Sequence, residues 1–167
     1  KKNRLEIAKS EFLKSIELDN KFIDPHKNLF QLNLKMGNFK SAIDNGKRVI
    51  ELDVKKNPIS YFNLALAHDL NKDYKEAIKI YKTVETLNFK EKKVLFNNIA
   101  KCFWGSNNIN DAKYYYLKAL EFDQNDKFVV NNLLILFLRI GDEEKIEYFY
   151  KKAEKIDKNY IEFKLNK

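Results

Sequence analysis

Between Asn97 and Asp123 apolar residues recur at helical spacing on both sides of a single break. Ile99, Ala100 and Phe103 fall on one face of a first helix. Gly105-Ser106-Asn107-Asn108 is a run of helix breakers. Beyond it Ile109, Ala112, Tyr116, Ala119 and Leu120 form the apolar stripe of a second helix. Ala100, Ala112 and Ala119 are small enough for two helix backbones to approach closely, so the stretch predicts a tightly packed hairpin. A lone hairpin leaves an apolar face uncovered, and further elements must stack on it.

The chain supplies them by repetition. Ala112 has counterparts at Ala77, Ala42 and Ala8, in steps of 35, 35 and 34 residues, and Ile146 lies 34 residues further on. Four residues after this small position stand Phe12, Gly46, Tyr81, Tyr116 and Tyr150. Ten residues after it stand Leu18, Leu52, Leu87, Phe122 and Ile156, followed by Asp19, Asp53, Asn88, Asp123 and Asp157. A period of ~34 residues marks a helical solenoid. With several positions matching in register, the pattern resembles the tetratricopeptide repeat (TPR) family over nearly the whole chain. The resemblance implies an all-α fold, a right-handed superhelical solenoid of antiparallel helix hairpins forming one continuous domain. Residues 1–22 then hold the second helix of a partial repeat, and 23–57, 58–92, 93–126 and 127–160 hold four complete ones. Residues 161–167 begin a further helix or a C-terminal cap, with Tyr160, Ile161, Phe163 and Leu165 as its apolar positions. The chain opens inside a repeat and without methionine, so it is expected to be part of a longer chain.

Local signals fit this register. Asp24-Pro25 and Asn57-Pro58 read as an N-cap followed by proline at the first helical position. Gly37 ends one helix with Asn38 capping the next, and Gly141-Asp142 repeats the device. Phe30 stands where the next two repeats have Ala65 and Ala100, which predicts a wider first hairpin. Leu134 and Ile146 replace the two small residues of the fourth repeat. The family's proline after the second helix is absent; Asn20, Val54, Phe89, Gln124 and Lys158 take its place.

Composition adds little to the fold but limits the chemistry. Of 167 residues 44% are hydrophobic, and four glycines and two prolines leave no room for flexible linkers. The lone Cys102 excludes an internal disulfide and reads as a buried, inert thiol. The longest apolar run, Leu133 to Leu138, is too short to span a bilayer, so no membrane insertion is expected of this stretch. His26 and His68 read as packing residues, and Glu143, Glu144, Asp123 and Asp126 as complements to helix ends. With no glycine-rich phosphate loop and no Cys or His cluster, the reading is of a non-enzyme without metal or cofactor. An aromatic content of 14% and a net charge of +8 raise nucleic-acid binding. Against it, Tyr81, Tyr116, Tyr150 and Phe103 sit at core spacing, and lysines such as Lys151 and Lys152 neighbour acids such as Glu154. Pentatricopeptide RNA binders share the repeat length, but the small residues and the Leu-Asp helix ends resemble TPR.

In TPR proteins the first helices line the concave surface. Each complete repeat here has an asparagine two residues before the Ala65 or Ala100 position: Asn28, Asn63, Asn98 and Asn132. Superposed repeats put these amides in a row about 10 Å apart, and an amide both donates and accepts, which suits the backbone of an extended peptide. The expected groove also carries Lys27, Gln31 and Lys35, then Phe62, Leu66 and Asp69, then Asn97, Lys101 and Trp104, then Asn131, Ile135 and Arg139. The clamp by which some TPR domains hold the carboxylate of chaperone tails is incomplete. Lys27 and Asn63 fit it, but Gln31 replaces one asparagine, and Val94 and Asn98 replace its basic pair. The sequence thus points to a scaffold or adaptor that binds an extended protein segment, with Lys27, Lys101 and Arg139 favouring an acidic one. Two rival readings are a regulatory module of a larger enzyme or sensor and an RNA-binding helical repeat. Leu5, Phe12 and Ile16, lacking a hairpin partner, suggest self-association through an end of the solenoid.

Overall fold

The computed structural model describes residues 2–157. Among them lie nine helices and no strand: α1 (Lys2–Leu18), α2 (Ile23–Lys35), α3 (Phe39–Leu52), α4 (Pro58–Leu70), α5 (Tyr74–Thr86), α6 (Lys92–Gly105), α7 (Ile109–Leu120), α8 (Lys127–Ile140) and α9 (Glu143–Ile156). The chain divides into two compact units, Lys1–Phe89 and Lys90–Lys167. In the first, α2 pairs with α3 and α4 with α5, while α1 packs on α2 and α3 on α4. In the second, α6 pairs with α7 and α8 with α9, and α7 packs on α8. The fold is all-α and built of helix hairpins. The apolar tail positions from Tyr160 onward lie outside the described residues.

The small residues do what their size allows. Ala42, Ala65 and Ala77 in the first unit, and Ala100, Ala112 and Ala119 in the second, have no exposed surface. Around them the first unit buries Phe30, Ile43, Leu64 and Ala67 as one cluster. In the second unit Leu95, Ile99, Leu133 and Leu136 are fully covered. Burying each such side chain contributes about 1.5–3 kcal/mol relative to exposure.

Within every hairpin the connection is the same turn. The N–H of Asn38, Asp73, Asn108 and Asp142 donates to the carbonyl five residues back, on Asn33, His68, Phe103 and Phe137. The residue just before each is left-handed: Gly37 (φ 75°), Lys72 (64°), Asn107 (63°) and Gly141 (79°). This is a Schellman-type end, which satisfies helix carbonyls that have no partner further along. Glycine takes that conformation without steric penalty, whereas Lys72 adopts it at a cost.

Two caps differ from expectation. The helix α2 starts at Ile23 with Phe22 before it, so Asp24 and Pro25 lie inside the first turn. Proline is tolerated there because the first four N–H groups of a helix have no intrahelical partner. Asn38 makes no side-chain cap bond; its own N–H closes the turn instead. Asn57, Asn108, Asp126 and Asp142 do cap, each accepting from a backbone N–H at the start of its helix.

Two further placements depart from the spacing argument. Tyr150 is 41% exposed, although Tyr81 and Tyr116 at the same position are buried. Its neighbour Phe149 enters the core instead, stacked on Phe137 at 5.4 Å. The α7 helix carrying Tyr116 is covered by α8, whereas α9 is the last described helix. At the other end Leu5, Phe12 and Ile16 are half-buried, while Ile7, Leu13 and Leu18 are the exposed apolar residues of α1.

Polar links fasten the helix ends. Lys93 at the start of α6 donates to Asp123 (3.1 Å) and Asp126 (2.6 Å), and Lys127 at the start of α8 donates to Asp157 (3.3 Å). Burial alone would raise the Asp126 carboxyl; the Lys93 ammonium and the N–H groups of Val129 and Phe128 outweigh it and hold the group below the usual carboxylate range. Hydrogen bonds to Asp126 and Asp123 raise Lys93 in turn. His26 and His68 are both buried, the first with Nε2 3.4 Å from the Asn20 carbonyl and the second with Nδ1 3.4 Å from Asp73. Cys102 is fully buried.

Candidate functional site

In the first unit Lys27 and Gln31 on α2 come together with Asn63 on α4. They border a cavity of about 170 Å³ whose inner wall is Phe30, Gly46 and Val49, and Ile59 and Ser60 from the first turn of α4 line it as well. The side chains of Gln31 and Asn63 make no hydrogen bond among the described residues. Lys27 reaches Asp24 at 3.3 Å, but both groups are about half exposed or more, and such a pair is held weakly enough to exchange partners. The cavity therefore presents apolar walls with an amide pair and an ammonium around them.

Its origin is a size exchange in the first hairpin. A Cβ on Gly46 would stand 2.9 Å from the Phe30 ring and 2.9 Å from Leu64 Cδ1. The Phe30 ring is thus accommodated by the missing side chain of residue 46. In the sequence Phe30 is a large residue at a small position and Gly46 interrupts an aromatic column. Their compensation was the available signal. The other expected residues of this unit stand apart from the cavity. Asn28 and Lys35 are exposed and Leu66 is half-buried. Phe62 stacks on Phe89 at 4.8 Å and tilts against Tyr81 at 5.5 Å, so it serves hairpin packing.

In the second unit Asn97, Lys101 and Trp104 project from α6 at helical spacing, and Asn132, Ile135 and Arg139 from α8. Two contacts join these rows. Asn132 Nδ2 donates to Asn97 Oδ1 at 3.1 Å. The Arg139 guanidinium lies 4.8 Å from the centre of the Trp104 ring and donates to Asn107 Oδ1 at 2.6 Å. A cation over an indole face is favourable, so the two long side chains are held in one place. Lys101, Ile135 and Arg139 are exposed beside them. Asn131 (4% exposed) and Asn98 (9%) are buried, so Asn131 does not line an open groove.

The four ladder asparagines thus sit in different surroundings. Asn28 is exposed, Asn63 is half-buried with unused amide groups, Asn98 is buried, and Asn132 is bonded to Asn97. Equal spacing fixes a helical position but not what packs beside it. Among the described residues no three His, Cys, Asp or Glu side chains gather as metal ligands, and no described helix is long and apolar enough to cross a membrane.

The family model of the tetratricopeptide repeat matches residues 59–91 and 95–126. No curated protein matches the chain significantly. Among solved structures the chain is similar to MamA, with a TM-score of 0.84 at 16% identity over 96% of this chain and 93% of that one. It is also similar to PilF of Pseudomonas aeruginosa (0.75, 18% identity, 93% and 70%). A third similar structure is YrrB, described as a TPR protein with an unusual peptide-binding site (0.69, 18%, 87% and 74%). At these identities the likeness establishes the fold, and the matched repeats support a role as a protein–protein interaction module. Residues 59–91 and 95–126 match the tetratricopeptide repeat, and the chain that carries them has the helix-hairpin fold of TPR proteins.

Proposed function

We propose that the protein binds an extended segment of another protein on the faces of its first helices and performs no catalysis there. The observation that carries this reading is the convergence of Lys27, Gln31 and Asn63 on one cavity, with both amides unpaired among the described residues. A free amide supplies a donor and an acceptor at the spacing of a peptide backbone. In the second unit the joined rows of α6 and α8 offer Lys101, Ile135 and the fixed Trp104–Arg139 pair. Lys27, Lys101 and Arg139, with the net charge of +8, favour an acidic segment. The peptide-binding site named for YrrB makes the same use of a similar fold reasonable.

The faces are preformed, so the segment bears most of the ordering cost, and an affinity near micromolar follows, about −8 kcal/mol. The test is affinity capture with the protein, then titration of the recovered partner by fluorescence anisotropy. Replacing Gln31 and Asn63 by Ala removes bonds worth ~0.5–1.5 kcal/mol each and should weaken binding roughly ten-fold. Lys79→Glu, on the second helix α5, should change it little. The reverse ranking would move the interface to the second helices and end this reading.

A further inference from the structure

The cavity in the first unit has a size and a lining that identify one kind of occupant. We propose that it receives a single aromatic side chain of the bound segment, a ring that lies against Phe30 and Val49 in the space that the Phe30 ring leaves open. This rests on the reading of the surrounding face as segment-binding.

Three observations carry it. The volume of about 170 Å³ is that of one ring: an apolar cavity of about 150 Å³ in another protein is known to bind benzene. The walls suit a ring, with Phe30 and Val49 almost fully buried and Ile59 56% exposed beside them. Such walls offer edge or stacked contact to an entering ring. Finally, the position is one that this chain itself fills with an aromatic elsewhere. The second and third hairpins pair Ala65 with Tyr81 and Ala100 with Tyr116, and both tyrosines are buried. In the first hairpin the ring has moved to Phe30 on α2 and no side chain leaves residue 46 on α3. Phe30 takes only the space next to the Gly46 backbone, and the remainder stays open toward Lys27, Gln31 and Asn63. These three polar groups meet the backbone and an acidic neighbour of the ring, so the recognised element is an aromatic residue within an acidic stretch.

The test uses two probes on the protein labelled with ¹⁵N. The first is p-cresol, the tyrosine side chain as a free molecule. It should shift the amide signals of Gly46 and Val49 and the side-chain amide of Asn63, with a millimolar dissociation constant. The second is a pair of peptides, Ac-Asp-Glu-Phe-Glu-Asp-NH2 and the same peptide with Ala for Phe. The Phe peptide should bind at least about ten-fold more tightly. The double variant F30A/G46Y gives the first hairpin the pairing of the second and third and fills the cavity from within. It should abolish both the p-cresol shifts and the difference between the peptides. Ser60→Phe, which plugs the cavity from α4, should do the same and serves if the double variant melts early. Absence of p-cresol shifts at Gly46 and Val49, or shifts that persist in both variants, overturns the proposal. Equal binding of the two peptides overturns it while leaving segment binding intact. A p-cresol site with no binding of either peptide keeps the ring site and removes the segment-binding reading.

Discussion

The first and third hairpins hold the same two positions with opposite contents. In the third, Ala100 is small and Tyr116 large, both are buried, and α7 packs on α8. In the first, Phe30 is large and residue 46 has no side chain, and a cavity lies beside them. The polar residues follow the packing. Asn97 and Asn132 in the second unit satisfy each other at 3.1 Å. In the corresponding register of the first unit stand Lys27 and Asn63, which face a cavity and leave the amide unused. The difference teaches that one repeat pattern can be closed in one place and open in another by moving a single ring from the second helix of a hairpin to its first. Closed, the position stabilises the fold. Open, it offers a surface.

The comparison breaks most sharply if the ring is removed where it is structural. Tyr116→Gly deletes a buried aromatic and adds a helical glycine, and should cost about 4 kcal/mol or more. Adding Ala100→Phe imports the pairing of the first hairpin and should restore part of that loss; urea melts of the single and double variants decide it. If the double variant is no more stable than the single, the two pairings are not equivalent.

The reciprocal change, Gly46→Tyr alone, sets a new side chain against Phe30 and Leu64 at 2.9 Å. Overpacking of this kind costs about 1–3 kcal/mol. A melting temperature equal to that of the unaltered protein would mean that the ring swings into the cavity without strain.

A third contrast concerns pH. The start of α8 is capped by Asp126, which also binds Lys93, whereas the start of α4 is capped by the uncharged Asn57. The Asp126 carboxyl is lowered in the folded protein, so its contribution is present above the unfolded carboxylate pKa. It is lost as pH falls through the lower folded value. Lys93 is raised, so its contribution holds below the unfolded lysine pKa and is lost as pH rises through the folded one. Hydrogen exchange during acid titration should therefore show α8 losing protection ahead of α4. Asp126→Ala should cost ~1–2 kcal/mol at neutral pH through the lost cap and flatten this dependence.

The smallest effect is at the turns. Lys72 holds the left-handed position that Gly37 and Gly141 fill in other hairpins. Lys72→Gly should raise stability by about 0.5–1 kcal/mol, strain relief exceeding the entropy cost of glycine. A drop in melting temperature would show that the Lys72 stem contributes packing not evident from its exposure.

Much of this architecture can be read along the chain, and the reason is that its information is local. Helix stripes and breakers act over a few residues, so the stops read at Gly37-Asn38 and Gly141-Asp142 fall between helices in the structure, and Asn57 and Asp142 cap as their positions suggest. The alanine column is legible because a close backbone approach admits only small residues, and Ala42, Ala77 and Ala112 are indeed without exposed surface. Exposure is another matter, since it belongs to a helix and to whatever packs on it from some 35 residues away. Tyr116 and Tyr150 share a repeat position, yet one is buried and the other 41% exposed. Asn131 was expected in the groove and lies in the core, while Val49, Ile59 and Ser60 line a cavity that no spacing rule indicates. The sequence by itself determined the hairpins, their register and the positions that must be small. Only the tertiary structure decided that Phe30 rests over Gly46 and that Lys27, Gln31 and Asn63 meet, because a cavity is a property of three helices together and is encoded in none of them alone.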